Sequence, residues 1–73
     1  MNEQEYFKII GQEALASRKA AKLTQGEVIQ KLKDEHGITL YQQDLSAFEK
    51  HGKKVQSAYV INRLFAVMGM ARI

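Results

Sequence analysis

The chain has 73 residues and a net charge of +3, with no cysteine and no proline. This length allows a single domain, residues 1–73, with a small core. Without cysteine, disulfides and thiolate zinc sites are excluded, which favours a reducing compartment such as the cytoplasm. The acidic N-terminus argues against a secretory signal, and no apolar run approaches the roughly 20 residues that cross a bilayer. We therefore expect a cytoplasmic protein with no membrane partner.

Charge is unevenly distributed along the chain. Residues 1–16 carry three glutamates against Lys8, whereas basic side chains gather at 18–22 and 50–54. Clustered positive charge suits a polyanion, and DNA is the commonest one. A solvated surface explains the same clusters equally well, so charge alone does not separate the two interpretations.

The first two predicted helices cover residues 2–22 and about 25–35. In the first, apolar residues recur at helical spacing, at Phe7, Ile10 and Ala14. In front of the second, Thr24 and Glu27 have the spacing of a capping box. Gly37 then ends the second helix, and GITL forms a short turn.

Two further helices are predicted over about 41–50 and 56–69. In the third helix Tyr41, Leu45 and Phe48 fall on one side. Its opposite side is polar and carries Gln42, Gln43, Ser46 and Lys50. The fourth helix is apolar over about half its circumference, which is wide for the outermost helix of so small a core. The expected fold class is therefore all-α, with four helices.

The second and third helices have the pattern of a helix-turn-helix, whose second helix enters the major groove of DNA. A glutamine amide offers a donor and an acceptor together, so Gln42 and Gln43 can pair with adenine. Taken alone, however, two glutamines more often mark a solvated helix face.

Two stretches resemble the phage repressor and Cro family of helix-turn-helix proteins. IGQEALASRKAAKLTQGEVIQKL is similar to the family's first two helices, through Ile10-Gly11, Arg18 and Leu23-Thr24-Gln25. YQQDLSAFEKHGKK is similar to its recognition helix and the basic turn that follows. The resemblance covers about residues 10–69 and implies a lambda-repressor-like helix-turn-helix domain.

The chain departs from the family pattern in four places. The segment KDEHGITL makes the connection to the recognition helix longer, which we interpret as a lengthened second helix. Ile29 takes the place of a small alanine, Lys22 that of a glycine and Ser17 that of a core leucine. These departures bear on the docking angle of the helices more than on the fold.

The resemblance and the placement of the basic residues assign roles to individual side chains. Base reading is expected from Gln42, Gln43 and Ser46. Phosphate contacts are expected from Gln25, Arg18, Tyr41, Lys50, Lys53 and Lys54. Three of these have competing interpretations. Arg18 matches a residue that pairs with Glu49, Tyr41 can instead pack inward, and Gln25 can be a plain polar residue at a helix start.

The expected function is sequence-specific binding of double-stranded DNA by a small transcriptional regulator, most simply a repressor that occupies its site. One recognition helix reads few base pairs, so we expect a homodimer, paired through the fourth helix and Met68, Met70 and Ile73. The alternative is a stable monomer in which the long first helix covers Val60, Leu64 and Val67 of the fourth and which dimerises only on DNA.

Two other functions stay open. One is an antitoxin that binds DNA and also a toxin, and the other is a helical protein-interaction module without DNA binding. No enzyme, cofactor or metal is expected. His36 and His51 lie far apart without a ligand cluster, and Ser46 has no histidine or aspartate at usable spacing.

Overall fold

The computed structural model describes residues 1–53 and 57–69, and over these it consists of four α-helices. The helices are α1 (Glu3–Ala20), α2 (Gln25–His36), α3 (Gln42–His51) and α4 (Ala58–Val67). The described residues contain no strand, so the predicted all-α class with four helices is confirmed. None of the helices in this part of the chain is long and apolar enough to cross a membrane.

Polar side chains cap the starts of the first two helices. Asn2 Oδ1 accepts a hydrogen bond from the backbone N–H of Glu5 at 2.8 Å. At α2, Thr24 Oγ1 accepts from the N–H of Glu27 at 3.1 Å, and Glu27 Oε1 accepts from the N–H of Thr24 at 2.8 Å. The predicted capping box is thus confirmed. The backbone N–H of Thr24 is the main reason that the pKa of Glu27 lies below its ordinary value.

Glycines in the left-handed conformation end α2 and α3. Gly37 has φ 66° and donates its N–H to the carbonyl oxygen of Lys33 at 3.0 Å. Gly52 has φ 67° and donates to the carbonyl oxygen of Phe48 at 3.0 Å. An L side chain rarely adopts such φ values, so glycine is the favoured residue at both helix ends. The segment KDEH forms the last turn of α2, as interpreted from the sequence, and residues 37–41 connect α2 to α3.

The core draws side chains from all four helices. Its fully buried large members are Phe48, Phe65, Leu32, Leu40, Leu45, Leu64 and Val28. α4 packs against both α2 and α1, and its apolar residues Val60, Leu64, Phe65 and Val67 are buried, as is its C-cap residue Met68. The exposed apolar patch predicted on α4 is therefore wrong for the described residues. Met70 and Ile73, the rest of that predicted patch, lie outside them.

Tyr41 does not join the core. It is the N-cap residue of α3, with an extended backbone at φ −88° and ψ 146°, and its side chain makes no capping hydrogen bond. The ring is 63% exposed. Inward packing beside Leu45 is wrong, because the helical periodicity on which it rested does not extend to a residue with non-helical dihedrals.

The backbones of α1 and α3 approach closely at two glycines. A Cβ atom on Gly11 would overlap the carbonyl oxygen of Phe48 and lie 3.0 Å from its carbonyl carbon. A Cβ atom on Gly52 would likewise overlap the backbone of Lys8. No side-chain rotation can relieve either overlap, since the atoms that would be met belong to the main chain. The two glycines therefore set the distance between α1 and α3.

We predict that Gly11→Ala lowers the free energy of unfolding by about 1–3 kcal/mol, because the added methyl group forces the two helices apart. Gly26→Ala is the matched control. Its new Cβ atom would have Thr24 Oγ1 at 3.9 Å as its nearest neighbour, and alanine favours the helix by up to about 1 kcal/mol. Urea unfolding of both variants should therefore shift in opposite directions. Equal destabilisation by the two substitutions would contradict the close contact at Gly11.

Candidate nucleic-acid interface

The two sides of α3 differ in burial as the sequence predicts. Leu45 and Phe48 are buried on the side that faces the core. On the opposite side Gln42, Gln43 and Lys50 are exposed and Ser46 is half-buried. The proposed base-reading residues thus share one accessible face that begins at the N-terminus of the helix.

A buried carboxylate joins α3 to α1. The side chain of Glu49 is only 3% exposed, and that of Arg18 is 13% exposed. Arg18 Nε donates to Glu49 Oε2 at 2.8 Å, and Arg18 Nη2 donates to Glu49 Oε1 at 3.0 Å. Arg18 Nη1 also donates to the carbonyl oxygen of Leu23 at 3.0 Å. The predicted Arg18–Glu49 pair is therefore confirmed, and its hydrogen bonds are the chief reason that the pKa of Arg18 is raised.

Gln25 extends this network to the start of α3. Its Nε2 donates to Glu49 Oε1 at 2.9 Å, and its Oε1 accepts a longer hydrogen bond from Gln42 Nε2 at 3.4 Å. Both ends of the Gln25 amide are therefore engaged within the protein. The result is a continuous chain of polar contacts from Arg18 through Glu49 and Gln25 to the exposed amide of Gln42.

A shallow groove lies beside this network, between the C-terminal end of α1 and the N-terminal end of α2. Its lining is mostly basic and polar and consists of Arg18, Lys19, Lys22, Leu23, Thr24, Gln25, Gly26 and Gln42. Lys19 and Lys22 are exposed. The N-terminus of a helix carries partial positive charge, so the groove combines lysine side chains with the start of α2.

Lys22 adopts a backbone conformation that is unusual for a residue with a side chain. Its φ is 59°, and among the described residues no other non-glycine residue has a positive φ. The turn is held by a hydrogen bond from the N–H of Lys22 to the carbonyl oxygen of Lys19 at 3.0 Å. This conformation costs an L-residue roughly 1–2 kcal/mol.

The structure sorts five of the six predicted phosphate-contacting residues into three groups. Tyr41, Lys50 and Lys53 are exposed, which a phosphate contact requires. Gln25 is engaged within the network, and its phosphate contact stays a prediction. Lys54 lies outside the described residues.

Arg18 has a structural role, because its guanidinium group donates to Glu49 and to the Leu23 carbonyl oxygen. Its phosphate contact stays a prediction. Sequence reasoning also gave no role to Lys19 and Lys22, which line the groove instead. The basic cluster at 18–22 was the signal that could have identified them.

Neither a metal site nor a known relative assigns a function to this surface. The described residues contain no group of three or more histidine, cysteine, aspartate or glutamate side chains that could hold a metal ion. Comparison with models of known protein families, with curated proteins and with solved structures finds no match.

We predict that removing either partner of the buried pair, by Arg18→Ala or Glu49→Ala, lowers stability by about 3–5 kcal/mol. Each variant would leave an uncompensated buried charge. Because the two residues interact directly, the double variant should lose much less than the two single losses combined.

Lys31→Ala is the control for this prediction. Lys31 Nζ lies 3.5 Å from Glu35 Oε2, and both side chains of this pair are about half exposed. Such a pair contributes at most about 1 kcal/mol. Urea unfolding measures all four variants. Losses at Arg18 and Glu49 as small as the loss at Lys31 would contradict a buried network.

Proposed function

We propose that the protein binds double-stranded DNA sequence-specifically, with α2 and α3 acting as a helix-turn-helix and α3 as the recognition helix. The observation that carries the proposal is the exposed amide of Gln42, which is held by Gln25 at the end of the buried Arg18–Glu49 network. A helix face that only contacts solvent does not require a positioned glutamine. A helix that reads base edges requires one, because discrimination between bases depends on fixed hydrogen-bond geometry.

The contact with Gln25 leaves Gln42 with the groups that adenine requires. One N–H of Gln42 Nε2 points to Gln25 Oε1. The second N–H and the carbonyl oxygen remain for N7 and the N6 amino group of adenine. Gln43 and Ser46 lie on the same accessible face and extend the reading surface along the groove. We therefore assign base reading to Gln42, Gln43 and Ser46.

The electrostatics of the interface also support DNA binding. Glu49 belongs to α3, yet it is buried and paired with Arg18, so it presents no free carboxylate to phosphates. Lys22 lies at the groove beside α2, and Lys50 and Lys53 lie at the other end of α3. Positive side chains thus flank the reading face on both sides, where the two backbones of the major groove would run.

Sequence-specific binding of this kind is the activity of a regulator of transcription. Specific occupation of a duplex site blocks other proteins from the same site, so the simplest activity is repression. The proposed class of protein is therefore a small helix-turn-helix repressor.

The base-reading assignment predicts that Gln42→Ala and Gln43→Ala each weaken binding to the preferred site by about 1–3 kcal/mol and relax its sequence preference. The preferred site is first selected from random duplex DNA, and binding is then measured by fluorescence anisotropy. Gln30→Ala is the control, since Gln30 is exposed on α2 and bonds to Asp34 at 2.9 Å, away from the reading face. If both reading-face variants keep affinity and preference, the assignment is wrong.

Phosphate contacts are tested separately by the salt dependence of affinity. Replacing Lys22, Lys50 or Lys53 by alanine should reduce the slope of log affinity against log salt by about one unit each, and should weaken all sequences alike. The control is Lys33→Ala, which removes the same charge from a residue that is not assigned a phosphate contact. Lys33 Nζ lies 3.4 Å from Thr39 Oγ1 in the α2–α3 connection, and its removal should leave the slope unchanged. Weak salt dependence of the unmodified protein would instead favour the protein-interaction module.

A further inference from the structure

A cleft lies between the N-terminal end of α1 and the C-terminal end of α3, at the opposite end of α1 from the groove beside α2. Its charged lining residues are Glu3, Glu5, Lys8, His51 and Lys53, and all five are exposed. We call it the α1–α3 cleft. The two glutamates offset the two lysines, so the cleft has no net charge while the His51 imidazole is neutral. Protonation of this imidazole gives the cleft one net positive charge.

The end of α3 is held against α1 at this cleft. Because a Cβ atom on Gly52 would overlap the backbone of Lys8, the two main chains are in contact directly after His51. Gly52 also donates its N–H to the carbonyl oxygen of Phe48 at 3.0 Å, which closes the last turn of α3. The backbone of His51 is therefore fixed relative to the charged residues at the start of α1.

The net charge of the α1–α3 cleft depends on pH through its histidine. Histidine is the side chain that ordinarily changes its charge between about pH 5 and pH 8. Carboxylates and lysine ammonium groups ordinarily keep their charges between about pH 6 and pH 8. Within this range, therefore, His51 decides whether the cleft is neutral or positive.

We propose that protonation of His51 strengthens DNA binding, so that the protein holds its site more tightly as the pH falls. The inference rests on the proposed function, because it requires phosphates near the end of α3. His51 directly follows Lys50, and Lys53 lines the same cleft; both lysines are assigned phosphate contacts. Phosphates beside them attract an imidazolium and not a neutral imidazole. DNA binding therefore takes up a proton, and the added affinity is lost as the pH rises through the range in which histidine titrates.

The second histidine of the chain gives a matched control. His36 and His51 are each the last residue of a helix, and each precedes a left-handed glycine, Gly37 or Gly52. His36, however, lines neither the α1–α3 cleft nor the groove beside α2. It is also half-buried, whereas His51 is exposed. The two residues thus share a position in their helices and differ in their distance along the chain from the lysines that are assigned phosphate contacts.

Fluorescence anisotropy of the full chain with its selected duplex, at pH 6 and pH 8 and constant ionic strength, tests the proposal. The unmodified protein should bind about three- to tenfold more tightly at pH 6, and its slope of log affinity against log salt should be about one unit steeper there. His51→Gln should bind equally at both pH values, close to the affinity of the unmodified protein at pH 8. His51→Lys has a permanent charge and should bind at pH 8 about as tightly as the unmodified protein does at pH 6. His36→Gln should keep the full pH dependence.

Circular dichroism at both pH values shows whether each variant keeps its helix content. Equal affinity of the unmodified protein at pH 6 and pH 8 would overturn the role of His51. So would a pH dependence that persists in both His51 variants, or one that disappears in His36→Gln. In each of these cases sequence-specific binding at pH 8 would leave the proposed function standing. Absence of sequence-specific binding at both pH values would instead overturn the proposed function, and this inference with it.

Discussion

The buried ion pair between Arg18 and Glu49 is the interaction on which the arrangement of the helices depends. A carboxylate taken out of water is strongly unfavourable unless a cation and hydrogen-bond donors replace the solvent. Arg18 supplies two parallel hydrogen bonds from α1, and Gln25 supplies a third from α2. Three helices must therefore be in register for this one charge to be satisfied. Hydrogen bonds depend on direction as well as distance, so this network constrains the helices more narrowly than apolar contacts of the same number.

The network also couples the interior to the surface. Gln25 donates to Glu49 at 2.9 Å and accepts from Gln42 at 3.4 Å, so polar contacts lead from a buried charge to a surface amide. The close contact at Gly11 acts on the same pair of helices, since it fixes how near α1 lies to Phe48, next to Glu49 in α3. Backbone contact sets the spacing of α1 and α3, and the ion pair sets their relative position along the contact. Both the backbone contact and the ion pair would hold a reading face on α3 in place.

Local rules predicted the features that depend on neighbouring residues. The capping box at Thr24, the glycine at the end of α2 and the two-sided character of α3 follow from spacing within a few residues. The sequence left open whether the apolar face of α4 is covered within the chain or exposed for a partner, because that depends on how distant segments pack. The fold decides this, since α4 contacts α2 and α1 and its apolar residues are buried. The prediction for Tyr41 failed because α3 begins at Gln42, so Tyr41 lies outside the helical periodicity that placed it beside Leu45. Arg18 had two plausible partners, and only the fold places Glu49 within 2.8 Å of it.

The turn at Lys22 shows how a charge and a conformation compete at one position. Glycine would adopt the same φ of 59° without the steric penalty of a Cβ atom, so the lysine there makes the fold less stable than it could be. In return the chain holds a cation beside the start of α2 on a backbone with little freedom. A flexible lysine elsewhere in the turn would carry the same charge but would place it less reproducibly. Stability alone would thus favour glycine at this site, whereas a cation beside the start of α2 requires the lysine that the chain has.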